Sequence, residues 1–176
     1  MNGDPSKPEI ACAQTYFALQ TRRQEIGQQT AKLDQRLAPR DRMKEANKAL
    51  SSAAHGAGVK RFAVFHDAGY KSLYNGLGQA DIKELKGVSP REPILDRMGS
   101  SELAANYFRA TQAEEKILRD NVQEEGSAIE THREVGTEVR EAIRRIGGVM
   151  PEDLPAEPSI KRLERRRKKF LKSPDG

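Results

Sequence analysis

Apolar residues in this chain recur at steps of three and four, and no stretch alternates apolar with polar at period two. That spacing builds one face of a helix and cannot build one face of a strand. The cleanest stripe is Ile129, His132, Val135, Val139, Ile143 and Ile146, which predicts a helix over 128–146. Ala, Leu, Glu, Lys, Arg and Gln dominate elsewhere, so helix propensity is high nearly throughout. The expected fold class is all-α: a compact centre of short helices flanked by long helices, with a basic helix at the C-terminus.

The short helices are set by glycine. Between Phe62 and Thr111 lie Gly69, Gly76, Gly78, Gly87 and Gly99, together with Phe62, Phe65, Tyr70, Tyr74, Tyr107 and Phe108. Asn75-Gly76 is a turn signal, and Gly87 suits the C-cap of a helix over 79–86. The expected organisation is one helical domain over 1–150. It opens with a helical hairpin at 8–55 broken at Ala38-Pro39, continues with a core at 60–123, and closes with the helix at 128–146. A Pro-rich linker is expected at 151–158 and a basic terminal helix at 159–176. Ile26, Leu33 and Leu37 leave only a narrow apolar seam on the first helix, which suggests a homodimer to cover it.

Composition excludes several classes. Cys12 is the single cysteine, so no intrachain disulfide exists, as suits a cytoplasmic protein. No apolar run reaches the length of a membrane span, and no signal-peptide pattern opens the chain. The net charge of +5 is concentrated at one end. From Ser159 to Lys172 there are eight Lys or Arg against one Glu, a local +7, so the remainder carries −2. An argument about anionic partners therefore belongs to that last helix.

Its cations, Lys161, Arg162, Arg165, Arg166, Arg167, Lys168, Lys169 and Lys172, are the candidate nucleic-acid contacts. They suit phosphates, which fix position without reading sequence. The bland alternative is a solvated helix that aids solubility. A second candidate is a helix-turn-helix from 79–86 and 90–98, presenting Arg91 and Arg97, although Pro93 sits inside its recognition helix. Arg22, Arg23 and Arg36 read as a solvated or partner-facing surface on the first helix.

No catalytic set, metal site or cofactor motif emerges. Glu84 and Lys86 with Asp67 mimic part of a metal-dependent nuclease signature, but residues two apart on a helix point apart. His55, His66 and His132 have no ligand-spaced neighbours. His132 interrupts an apolar stripe and reads as a hydrogen-bonded core residue. Tyr70 and Tyr74 are expected in the core rather than stacked on bases. Gly136 is expected to permit a close helix approach.

Longer words carry a family resemblance. Phe65-His66-Asp67-Ala68-Gly69-Tyr70-Lys71-Ser72-Leu73-Tyr74-Asn75-Gly76-Leu77 resembles a signature of the bacterial DNA-damage-inducible protein D family. The likeness continues through Leu95 to Asn106, Phe108 to Gln112, and Met150-Pro151-Glu152-Asp153-Leu154-Pro155. Members similar to this chain carry a further N-terminal, antirepressor-type (BRO-N-like) domain, and this sequence resembles the part that follows it. The resemblance implies a non-catalytic accessory protein of the DNA-damage (SOS) response. Such a protein would bind DNA, a RecA-type recombinase filament, or both, and modulate recombination. The alternative is a regulatory or oligomerisation module of a phage-type antirepressor.

Overall fold

The structure is a computed structural model that describes residues 8–171. All regular structure among the described residues is helical. The order is α1 (Pro8–Gly56), α2 (Phe62–Leu73), α3 (Gln79–Leu85), a 3-10 turn (Ile94–Arg97), α4 (Ser100–Arg119), α5 (Glu125–Arg145), a second 3-10 turn (Pro151–Asp153) and α6 (Ile160–Leu171). The fold class is all-α, as the periodicity requires. The chain divides into two compact units. The larger comprises 36–160; the smaller draws its described residues from 8–35 and 161–171.

The larger unit is built on α2 and α5. Phe65, Ala68 and Leu73 of α2 and Ile129, Val135 and Val139 of α5 are buried in one apolar core with Met43 and Leu50 of α1 and Leu103 and Ile117 of α4. The two helices run parallel. His132 meets Phe65, Gly136 meets Gly69, and Arg140 meets Leu73, each pair the same distance apart in sequence. Glycine permits the approach. A β-carbon on Gly136 would collide with the Ser72 hydroxyl and lie 3.2 Å from the Gly69 carbonyl oxygen, and one on Gly69 would collide with His132 and Arg109. The expected role of Gly136 is therefore met.

The first helix departs from expectation. The hairpin read into 8–55 is instead one continuous helix of 49 residues with Pro39 inside it. Pro39 has no N–H for the carbonyl four residues earlier, and an interior proline costs roughly 3 kcal/mol. Two arginines on either side of it grip the same loop. Arg36 donates from Nε to the Met98 carbonyl (3.0 Å), from Nη2 to the Asp96 carbonyl (2.8 Å) and from Nη1 to the Pro158 carbonyl (2.7 Å). Arg40 Nε donates to Asp96 Oδ1 at 2.5 Å. Hydrogen bonds from a charged donor contribute about 1.5–3 kcal/mol each, enough together to hold a helix across one proline. Arg36, read from sequence as a surface residue, is thus 3 % exposed and structural.

Residues 151–158 also differ from the extended linker expected. Pro151 is buried, and Arg140 clasps Glu152 through both nitrogens at 2.9 and 2.6 Å. Lys86 Nζ donates to the Pro151 carbonyl (3.1 Å), and the Glu157 N–H donates to the Arg97 carbonyl (2.8 Å). Proline-rich chain offers carbonyls without matching N–H groups, and here side-chain cations supply the donors.

Two predictions test these contacts by urea denaturation. Pro39→Ala should raise stability, by about 1 kcal/mol or more, while Arg36→Met should lower it by about 2–4 kcal/mol; equal signs would contradict the account of α1. Gly136→Ala should cost about 1–3 kcal/mol, and adding Ser72→Ala should recover part of that loss, since it removes the hydroxyl in the way.

Candidate nucleic-acid interface

Helix α6 opens on Ile160 and Leu163, both buried, which mark one side of the helix. At about 100° per residue, the cations fall on the opposite side. Lys168, Lys161, Arg165, Lys169, Arg162 and Arg166 follow one another around an arc of roughly 160° centred away from Ile160 and Leu163. All six are exposed. Arg167 lies off this arc and its Nη1 donates to Asp34 Oδ1 at 3.2 Å, so one of the eight candidates is engaged by α1. Arg166 and Lys169 also interact within the protein. Lys172 lies outside the described residues. The side chains of Phe170 and Leu171 lie outside them too.

The helix-turn-helix reading fails. Residues 90–98 form no α-helix; a 3-10 turn spans only Ile94–Arg97, and Pro93 precedes it in extended conformation. Proline there and the restriction it places on its neighbour prevent a recognition helix. Arg97 pairs with Glu92 at 3.4 Å.

The nuclease-like residues disperse. Asp67 Oδ1 accepts the Gln79 N–H at 2.9 Å at the start of α3, and Oδ2 pairs with Lys71 at 2.9 Å. Glu84 is exposed. Lys86 turns inward to Glu102. Among the described residues no three His, Cys, Asp or Glu gather as a metal would need. The Cys12 side chain lies outside the described residues.

What the interior does hold is a string of polar side chains, of which the sequence singled out His132 as a hydrogen-bonded core residue and Tyr74 as a core residue but not Glu102, Asn106 or Arg109. Lys86 Nζ donates to Glu102 Oε1 (2.7 Å). The Tyr74 hydroxyl donates to the same oxygen (2.7 Å) and accepts from Asn106 Nδ2 (2.7 Å). Asn106 Oδ1 accepts from Arg109 Nη2 (3.2 Å), and Arg109 Nη1 donates to His132 Nε2. His132 Nδ1 donates to the Phe65 carbonyl at 2.9 Å. Tyr70 lies under the Arg109 guanidinium, whose carbon is 5.1 Å from the ring centre. Glu102, Asn106, Arg109 and His132 are all buried. The spacing Glu102, Asn106, Arg109 on α4 is the one available signal, since steps of four and three place all three on one face.

Burial governs the string's charge. It pushes the Glu102 carboxyl up against the pull of Lys86, and it pushes the Tyr74 hydroxyl well up with help from Glu102. Burial and the Arg109 cation hold His132 well below the usual histidine range. A neutral His132 fits its bonds, with Nδ1 carrying the proton and Nε2 accepting. His66, 2.9 Å from the Ser51 hydroxyl through Nε2, is lowered for the same two reasons.

No helix among the described residues is long and apolar enough to cross a membrane. No solved structure matches the chain. Residues 31–163 match the family model of the DinD C-terminal domain. The chain is 51% identical over 172 residues to the DNA damage-inducible protein D of Escherichia coli (strain K12), an alignment that covers 93% of this chain and 63% of that protein. The chain thus spans less than two thirds of that relative's length. Both matches include the core helices, the buried string and the start of α6, and by them the chain belongs to the DinD family, through its C-terminal domain.

Proposed function

We propose that this chain is a non-catalytic accessory protein of the DNA-damage response that binds nucleic-acid phosphates through α6 and modulates a RecA-type recombinase filament. The observation that carries the reading is the exposed cationic arc of α6, Lys161, Arg162, Arg165 and Lys168 above all, on the side of the helix opposite the buried Ile160 and Leu163. A helix so oriented offers phosphates several cations at once. Its affinity would come from counterion release and be indifferent to sequence. The family's name supplies the link to DNA damage.

The non-catalytic part rests on the buried string. Glu102, Tyr74, Asn106, Arg109 and His132 bond to one another and are closed to solvent, with Glu102 Oε2 and Arg109 Nε buried without a partner. Their role is to fix the register of α2, α4 and α5.

Two measurements follow. The triple variant Arg162→Gln, Arg165→Gln, Lys168→Gln keeps the buried anchors. It should weaken duplex and single-stranded DNA binding and flatten the plot of log affinity against log salt by about 2–3. The same variant should lose the effect of the wild type on recombinase strand exchange. An unchanged affinity and slope would remove α6 as the contact.

The string's role is read from pH. A histidine held neutral in the folded state and free to protonate when unfolded leaves stability intact above its unfolded value, near 6.5, and lowers it as pH falls below. Glu102, pushed up in the folded state, acts in the opposite sense, its destabilisation relieved as pH falls from its raised folded value to the usual carboxylate range. Between about pH 7.5 and about 5.5, His132 alone should remove roughly 1.4 kcal/mol, with His66 adding to it. His132→Gln should reduce that pH slope by about one proton in urea melts, while leaving DNA binding at neutral pH unchanged in the folded variant.

A further inference from the structure

Three of the most exposed large apolar side chains described are Ile146 (82 %), Leu118 (62 %) and Val149 (62 %), and they fall at two places only. Ile146 and Val149 flank the turn that ends α5. Gly147 takes φ +75° there, and the Gly148 N–H returns to the Ile143 carbonyl at 2.9 Å, so the turn is a fixed one. It projects an isoleucine and a valine outward, beside the exposed Arg145. Leu118 lies instead on the wall of an open groove of about 420 Å³ between the C-terminal turns of α1 and α4. Ala49, Ala53, Ile117 and Val122 line it, and Glu114 reaches into it.

Each place lacks what the other has. The groove is mainly apolar, with Ser52, Asn121 and Gln123 also lining it, and has the volume for two aliphatic side chains, and the turn is two aliphatic side chains without cover. Glu114, half-buried along that groove, has no ion-pair partner among the described residues, and neither has Arg145 beside the turn. A carboxylate on an apolar wall is costly without a cation, and Arg145 is a cation next to the apolar side chains that would fill the groove.

The two cannot meet within one molecule. The groove ends at residues 121–123, which lead directly into the first turn of α5, whereas the turn at 146–149 follows its last. The length of α5, about 30 Å, separates them. We infer that they meet between copies: the Ile146–Val149 turn of one molecule docks in the α1–α4 groove of the next, with Arg145 against Glu114. The contact joins unlike surfaces. It therefore repeats head to tail, giving an open chain or a ring rather than a two-fold dimer.

Complementation tests this directly. Sedimentation velocity of the wild-type chain across a concentration series should show species larger than a dimer that dissociate on dilution. Ile146→Glu spoils the turn but keeps the groove, and Leu118→Glu spoils the groove but keeps the turn. Both positions are exposed, so both variants should keep wild-type circular dichroism. Each alone should be monomeric, and an equimolar mixture should form a one-to-one dimer that grows no further. A wild type that stays monomeric at every concentration, or a mixture that stays monomeric while each variant is folded, overturns the inference. So does a wild type that stops at dimer.

Discussion

The approach of α2 to α5 sets the terms for the larger unit. With glycine at 69 and 136 the two helices come close enough that a β-carbon at Gly136 would meet the backbone of α2. Above and below that contact, α5 sends a side chain to a carbonyl of α2: His132 to Phe65, and Arg140 to Leu73. The pairing is directional as well as close, so a slip of one residue would lose both bonds and replace glycine with a larger side chain. α4 is then placed by the same histidine, because Arg109 reaches His132 from its own face.

That arrangement leaves little chemistry inside. The polar side chains of the core bond largely to one another, with Glu102 Oε2 and Arg109 Nε left without a hydrogen-bond partner, and Asp67 and Lys86 of the nuclease-like set each hold an element. Asp67 accepts a backbone N–H at the start of α3, and Lys86 ties α3 to α4 and to the segment after α5. The contacts proposed with other molecules use surfaces at the ends of elements: the cationic arc of α6, the Gly147–Gly148 turn, and the groove between α1 and α4. None of these depends on a residue of the buried string.

Much of the fold was legible because helical periodicity is a local property. The stripe on α5 marks the helix and most of its buried face, and Gly87 reads as a cap that the positive φ of 61° bears out. The stripe overreaches at Ile146, which keeps the helical spacing but stands 82 % exposed, because spacing says which face a residue is on and not whether a partner helix extends that far. The errors about Pro39, Arg36 and the 151–158 segment share one cause. Each is decided by a bond between residues about 60 or more apart in sequence, such as Arg36 to Met98 or Lys86 to Pro151, and no local pattern reports such a bond. The basic helix was legible as charge; its arc could be oriented only once Ile160 and Leu163 were known to be buried.

The buried string and the cationic arc answer to different solution conditions. Arg109 is a cation in the interior, and its field together with burial keeps His132 and His66 uncharged. The interior near the α2–α5 crossing therefore keeps one fixed cation near neutral pH rather than a titrating set. The α6 cations are exposed and screened by salt, whereas a buried contact is screened far less. Salt should act on the outer arc and acid on the inner histidines, because the arc consists of exposed charges and His132 and His66 are neutral rings that would have to charge inside a packed core.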